Sequence, residues 1–293
     1  MSIAVRALGP DGPGVSAIGY GAMHLSIEDR PDEAQAIRTL HAGLDAGITL
    51  IDTADAYALG DHDIGHNERL IARALHEWRG PGDSVIVATK GGSTRPGGRW
   101  ERDGRPAHLR AACERSLRAL GVDEIDLYQL HAPDPRVPFE ESVGALARLL
   151  EEGKVLRVGL SNVSVAQIET AVGIVPITTV QNRLNPFFRE SLAGGVVAHC
   201  MAQRIGFLAY SPVGGGRLNR TLPAHPAVRA IAARAGASPH AVVIAWVLAQ
   251  GPQVIPIPSA RTPEHVRDSV TASTLELTPD DLQAIDTATF STA

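Results

Sequence analysis

Cysteine is scarce in this chain. Its 293 residues carry two, Cys113 and Cys200. They lie far apart in stretches of helical patterning, so neither a disulfide framework nor a metal knuckle is expected, and both read as small buried hydrophobes. A basic excess is missing too. Lys and Arg number 27 against 32 Asp and Glu, for a formal net charge of -5, and no basic stripe suits a nucleic-acid backbone. No stretch approaches the about 20 apolar residues of a membrane span. Met1 to Arg6 lacks the apolar core of a signal peptide. A soluble cytoplasmic protein, bound to neither membrane nor nucleic acid, is therefore expected. Among the eleven histidines no His-x-His pair ends an apolar run. His62 and His66 have helical spacing but sit in a loop rich in Gly and Asp, so they are expected in solvent and no metal site is expected.

What remains is globular, 44% hydrophobic and 20% charged, and long enough for a substantial core. Short apolar runs alternate with helical patterns from end to end, the mark of βα units and a parallel sheet. Ala4 to Leu8 and Gly14 to Ile18 flank a Gly-Pro-Asp-Gly-Pro turn and predict an N-terminal hairpin. Eight strand windows follow: 17–21, 48–51, 84–88, 125–130, 155–160, 178–180, 206–209 and 254–257. Helices are predicted at 33–46 (capped by Asp32, stopped by Gly47), 67–78, 107–120, 139–152, 165–172, 191–203, 227–235, 239–250, 263–272 and 279–287. Eight such units without a linker predict a closed (β/α)8 TIM barrel with an N-terminal β-hairpin and extra C-terminal helices, one domain over residues 1–293. A doubly wound sheet would carry Gly-x-Gly-x-x-Gly after its first strand. Gly19-Tyr20-Gly21-Ala22-Met23-His24 stands there instead.

Two loops interrupt the rhythm. Residues 91–106 are polar and Gly-rich and follow strand three, on the face where barrels place their chemistry, so a substrate-side loop is expected. Its Trp100 reads either as a ligand wall or as an anchor for the loop. Gly214-Gly215-Gly216-Arg217 follows strand seven, and such a run reads as a flexible loop or as a cradle for phosphate oxygens.

The chemistry concentrates in residues 50–57, Leu-Ile-Asp-Thr-Ala-Asp-Ala-Tyr. Asp52 ends the apolar run of strand two and Tyr57 follows five residues later. Lys90 and His131 come just after strands three and four. In a barrel these strands are neighbours and their ends share one mouth, so the four side chains are expected to meet. Singly, each has a bland reading: a turn cap, a packed ring, a solvated amine, a core histidine. Jointly they form a proton-delivery device. An ammonium at Lys90 lowers the phenol pKa of Tyr57, Asp52 keeps the lysine charged and oriented, and His131 donates to a carbonyl oxygen. Such a set protonates an oxygen that gains negative charge, but electrons must come from a hydride donor.

Over essentially its whole length the chain resembles the aldo-keto reductase superfamily. The resemblance rests on Ile-Asp-Thr-Ala-Asp-Ala-Tyr at 51–57, Ala-Thr-Lys-Gly-Gly at 88–92, Leu-Tyr-Gln-Leu-His at 127–131, Gly-Leu-Ser-Asn at 159–162, Ser-Pro-Val-Gly-Gly-Gly at 211–216 and Ile-Pro-Ser-Ala-Arg-Thr-Pro-Glu-His at 257–265. It implies Asp52, Tyr57, Lys90 and His131 as the catalytic tetrad, with NADPH, or NADH, as hydride donor. It also implies that Ser161, Asn162 and Gln181 bind the nicotinamide amide and that Tyr210 stacks on its ring. Ser211, Pro212, Val213 and Gly214 would cover the pyrophosphate, with Gly21 nearby. Ser259, Arg261, His265 and Ser269 would hold the adenosine phosphate end. Ser259 and Ser269 replace the Gly and Asn of many relatives. Arg261 suits a 2′-phosphate, or is a solvated arginine at a helix start. Arg267 and Asp268 read as adenine contacts or as surface charges.

The implied substrate is a small aldehyde or ketone. Met23, His24 and Trp100 are its expected contacts, with Leu25, Asp55, Phe187 and Phe188 as further candidates. Three other readings remain open at this point. They are a non-catalytic nucleotide-binding barrel acting as a sensor or regulatory subunit, a Schiff-base aldolase using Lys90, and a metal hydrolase.

Overall fold

Strand residues alternate between two faces, and in this protein both faces are covered. A computed structural model describes residues 3–10, 12–80 and 84–292. Met1 and Ser2, and Asp11 of the expected turn, lie outside the described residues. The strands are β1 (Val5–Ala7), β2 (Gly14–Ser16), β3 (Tyr20–Gly21), β4 (Leu50–Asp52), β5 (Ile86–Gly91), β6 (Ser93–Thr94), β7 (Glu101–Arg102), β8 (Leu127–Leu130), β9 (Val158–Ser161), β10 (Ile177–Arg183), β11 (Gly206–Tyr210) and β12 (Val254–Ile257). From β3 to β12, omitting β6 and β7, eight of them pair in parallel and in chain order. The Gly19 and Gly21 amides donate to the Pro256 and Pro258 carbonyls, each at 3.0 Å, and bring the first strand to the last. Proline returns no N–H, so this seam is bonded in one direction only. The result is the (β/α)8 barrel, with no doubly wound sheet.

Helices surround it: α1 (Glu33–Asp45), α2 (His66–Glu77), α3 (Pro106–Leu120), α4 (Phe139–Glu151), α5 (Val165–Val172), α6 (Glu190–Ala193), α7 (Val196–Ala202), α8 (Pro226–Ala235), α9 (Pro239–Leu248), α10 (Pro263–Thr271) and α11 (Pro279–Thr287). Their starts follow local chemistry. Asp32 caps α1 by accepting from the Gln35 amide, and Ser164 and Gln167 form a reciprocal capping box on α5. The single helix expected over 191–203 is two helices, α6 and α7. Gly194-Gly195 divides them, and Gly195 takes a left-handed φ of 74° that no continuing helix tolerates. Along α9 every residue from Ala241 to Leu248 is buried, which explains an apolar run without helical periodicity. No single helix among the described residues is long and apolar enough to cross a membrane.

Inside the barrel, Leu50, Ala88, Leu127, Leu208 and Ile255 pack with Leu8 and Val15 of the β1–β2 hairpin, which plugs one end. Between them in sequence, Ile51, Val87, Tyr128 and Phe207 face the helices. Two residues beyond the apolar layer, the same inner face carries Asp52, Lys90, Gln129 and Tyr210. The interior turns from apolar to polar in one step of the pleat. Gly159 belongs to this face, where a Cβ would stand 2.4 Å from Thr179 Oγ1 and 2.8 Å from Gln129 Cγ, so its missing side chain makes room for the polar layer.

This layer also explains where strand ends were misread. Strands three and six were expected to stop at Ala88 and Val180 but continue to Gly91 and Arg183. Hydrophobicity marks the surface that packs on helices, whereas Lys90 and Gln181 extend the ladder with polar side chains. Conversely, the first barrel strand shrinks from 17–21 to Tyr20–Gly21. The loop at 91–106 is not structureless, since β6 and β7 pair antiparallel within it.

Candidate active site

Leaving a buried polar group unpaired costs roughly 2–7 kcal/mol on transfer scales, so the polar layer must satisfy itself. It does so around Lys90, which is fully buried. Lys90 Nζ donates to Asp52 Oδ2 at 2.6 Å, to the Thr53 carbonyl at 2.8 Å and to Tyr57 Oη at 3.1 Å, which uses all three ammonium protons. Asp52 Oδ1 accepts from Gln181 Nε2 at 2.7 Å and from Gln129 Nε2 at 3.3 Å. Burial alone would favour the neutral amine, but the Asp52 carboxylate and the Tyr57 oxygen outweigh it and hold Lys90 above the ordinary lysine pKa. Tyr57 departs from expectation. Burial raises its pKa, and the Lys90 charge brings it only part of the way back. The phenol therefore keeps its proton throughout the neutral range.

His131 follows the end of β8 and meets Tyr57 edge-on, with ring centroids 5.7 Å apart. Burial, then the charges of Lys90 and Arg102, push its pKa down to about 3, so the imidazole is neutral. Its Nδ1 is buried without a partner among the described residues. An unmatched buried acceptor is tolerated better than an unmatched N–H, which favours the tautomer with the proton on Nε2. Trp100 completes an aromatic corner, 6.3 Å from Tyr57 and 6.2 Å from His131 between centroids. The sequence-expected tetrad thus converges, with Trp100 beside it.

The expected nicotinamide residues are adjacent and already linked. Asn162, in a left-handed conformation at φ 60°, donates from Nδ2 to the His131 carbonyl at 3.0 Å and to Ser161 Oγ at 3.1 Å. Its Oδ1 accepts from Tyr210 Oη at 2.8 Å. Gln181 Nε2 is held by Asp52, so it is a ligand's partner only through its carbonyl oxygen or by exchange. Ser211 takes a left-handed φ of 49°, a strained state for serine, and its carbonyl is secured by Asn185 Nδ2 at 2.8 Å. Gly214, Gly215 and Gly216 all have positive φ, and a Cβ at Gly216 would meet nothing within 4 Å. That is an open backbone cradle of the kind a pyrophosphate takes. Pro212 is buried, and Val213 packs on the core.

At the far end, Arg261 donates to the Glu28 carbonyl at 3.4 Å, and its charge, after burial, holds His24 below the ordinary histidine pKa. Met23 and His24 are half-buried beside it, and Ser259 and His265 are exposed. The Ser269 hydroxyl donates to the His265 carbonyl at 3.0 Å within α10. Asp268 is no free surface charge, because it accepts from Ser238, the cap of α9, at 2.6 Å. Arg267 lies 3.9 Å from Glu264. Gly21 serves the seam, where a Cβ would stand 2.7 Å from the Ile257 carbonyl oxygen.

Several further candidates are engaged outside the tetrad. Leu25 is buried in the core between barrel and helices. Phe187 packs on Phe290, and Phe188 lies under Arg183. His66 is half-buried with Nδ1 2.8 Å from Ser26 Oγ, not in solvent, while His62 is exposed. Asp55 is buried, and its carboxyl faces Arg115 rather than the tetrad.

Burial and the nearby Glu68 push Asp55 up to about 8, against an ordinary 3.8. Between those values the folded chain keeps a proton that the unfolded chain has released, so this group lowers stability as pH rises from about 4 to 8. Asp55→Asn removes that effect. Urea unfolding at about pH 5 and about pH 8 should show the parent losing more stability across the interval than the variant, and equal losses would refute the assignment.

A family model for the aldo/keto reductase family matches residues 17–289. A probable aldo-keto reductase 1 from Glycine max is 34% identical over a 307-residue alignment, covering 95% of this chain and 86% of that protein. The chain belongs to the aldo/keto reductase family. Among solved structures, a thermostable aldo-keto reductase in complex with the inhibitor epalrestat superposes with a TM-score of 0.81 at 27% identity, covering 97% of this chain and 99% of that one. A glycerol dehydrogenase from Gluconobacter oxydans gives 0.80 at 30%, covering 96% and 93%. An aldo-keto reductase from Klebsiella pneumoniae in complex with NADPH gives 0.80 at 28%, covering 96% and 93%.

Sequence reasoning missed three contributors to this reductase's site. Gln129 was legible, since it lies two residues before His131 on the inward face set by the strand period. The Thr53 carbonyl has no side-chain signal. Arg95, fully buried with its guanidinium 4.1 Å from the Trp100 ring centroid, looked like one more charge in a polar loop.

Proposed function

We propose that this reductase converts an aldehyde or ketone to the alcohol, with NADPH as hydride donor and NADH as the alternative. The observation that carries the reading is the Lys90 ammonium held between Asp52 and the phenol of Tyr57, beside a neutral His131. When bound, the reduced nicotinamide supplies a hydride to the carbonyl carbon. Tyr57 Oη delivers the proton to the oxygen, so hydride and proton together make the two-electron reduction. Lys90 stabilises the phenolate left behind, and Asp52 keeps the ammonium charged. His131 Nε2 donates to the carbonyl oxygen and fixes its direction. Met23, His24 and Trp100 would flank the substrate.

The nucleotide would be held by Ser161, Asn162, Gln181 and Tyr210 at the nicotinamide, by Ser211 to Gly214 at the pyrophosphate, and by Ser259, Arg261, His265 and Ser269 at the adenosine. Arg261 favours NADPH because a guanidinium suits a phosphate dianion. NADPH complexes among the relatives support the same choice. The whole chain, 1–293, is read as one domain acting in the cytoplasm.

A Schiff base on Lys90 is disfavoured, because attack needs a neutral amine and this one is held charged by three acceptors. No particular observation favours a sensor role. Purified protein should oxidise NADPH when given a panel of aldehydes and ketones, and more slowly with NADH. Absence of turnover with every carbonyl would overturn the reading.

A further inference from the structure

Ten buried side-chain polar atoms lack a partner among the described residues, and four of them gather in one place: Asp55 Oδ1, Arg95 Nε, Arg95 Nη1 and His108 Nε2. Asp55, Arg95 and His108 all line one cavity of about 320 Å³, together with Arg115, Asp61 and Ile64. Tyr57, Lys90 and His131 do not line it. The cavity lies between the loop after β4, the β6–β7 hairpin and α3.

The charges within it are poorly matched. The Arg95 side chain is fully enclosed, and its one ion-pair partner among the described residues is Glu28, whose side chain is 61% exposed and 2.5 Å away. A solvated carboxylate neutralises such a charge weakly. Arg115 Nη2 stands 3.6 Å from Asp55 Oδ2, beyond a good hydrogen bond. Burial favours the protonated Asp55 carboxyl up to about 8, which leaves that oxygen a donor at neutral pH. Asp61 is exposed, where solvent screens it. Water would fill the space and satisfy hydrogen bonds, but it would bring no counter-charge. An oxyanion does both, through charge-assisted bonds.

We propose that this cavity is a binding site for a small oxyanion, the carboxylate or phosphate group of a ligand, held by Arg95 and Arg115 with the Asp55 carboxyl. His108, whose Nδ1 is 3.4 Å from Asp103, offers Nε2 as an acceptor for a hydroxyl on the anion or for a water beside it. The site has a line to the mouth. The Arg95 guanidinium that faces the anion also stacks on Trp100, and Trp100 borders Tyr57 and His131. Occupancy would therefore shift the Trp100 environment.

Calorimetric titration of nucleotide-saturated protein tests this, because saturation fills the cofactor's own phosphate sites first. Inorganic phosphate and acetate are titrated separately. Saturable binding of at least one, near one per chain, is expected. Arg115→Gln should weaken it tenfold or more, and Arg95→Gln should abolish it. A response to phosphate alone assigns a phosphate-bearing ligand, and to acetate alone a carboxylate. Trp100 fluorescence, isolated by comparison with Trp100→Phe, should titrate in parallel. Arg115 is 40% exposed, so its variant folds even if the Arg95 variant does not. Saturable binding of neither anion, or binding as tight in Arg115→Gln as in the parent, overturns the proposal. Because parent and variant are compared in one titration, the result reads the cavity whether or not nucleotide binds.

Discussion

Tyr57→Phe is expected to lose nearly all carbonyl reduction while binding the nicotinamide nucleotide as the parent does. The substitution keeps the ring, so the edge contacts to His131 and Trp100 survive. Only the phenol oxygen goes, and with it one of the three acceptors around Lys90. Lys90 retains Asp52 and the Thr53 carbonyl, so the fold should tolerate the change. General acid catalysis contributes on the order of 10²–10⁴-fold, and kcat should fall by that factor. The Michaelis constant for carbonyl should move little, since the lost interaction forms as charge develops on oxygen. His131 does not replace the missing acid, because an imidazole with a pKa of about 3 is a hydrogen-bond donor with no proton to give at neutrality. Steady-state rates with fluorescence titration of the reduced nucleotide would check both halves. Parental kcat in the variant would remove Tyr57 from the chemistry. Lost nucleotide binding with intact turnover would mean the residue had been misplaced altogether.

Much of this site could be read before the structure because two periodicities meet in it. Strand alternation puts Leu50 and Asp52, Ala88 and Lys90, Leu127 and Gln129 on one inner face, so the apolar runs locate the polar layer above them. Helix starts were legible for a different reason. Asp32, Ser164 and the prolines at 106, 226, 239, 263 and 279 are local signals that need no tertiary context. The misreadings share a cause too. Leu25 and Asp55 both lie beyond strand ends, and outside a strand no period governs direction. A single 3-10 turn over Met23–Leu25 rotates Leu25 into the core. Only Ala56 separates Asp55 from Tyr57, yet Asp55 faces Arg115 and Tyr57 faces Lys90. Arg95 was illegible because its burial depends on a hairpin, β6–β7, that a Gly-rich polar segment does not announce.

Lys90→Met should damage both activity and stability, and the two losses can be separated. Removing the ammonium takes the charge from beside Tyr57 and leaves the Asp52 carboxylate buried with only the amides of Gln181 and Gln129. Breaking a buried ion pair at one end costs about 3–5 kcal/mol, visible as a lower urea midpoint. Pairing the change with Asp52→Asn removes the stranded carboxylate and leaves groups of similar size. Since desolvation offsets much of the attraction in such a pair, the double variant should recover most of the lost stability. It should recover no activity, because neither Met nor Asn can steady a phenolate. Recovered folding without turnover would mean that the pair is kept for the proton donor at Tyr57 and contributes little net stability to the barrel. A double variant as unstable as Lys90→Met alone would reverse that conclusion. The ion pair would then be part of what holds β4 to β5, and the charge at Tyr57 would be its by-product.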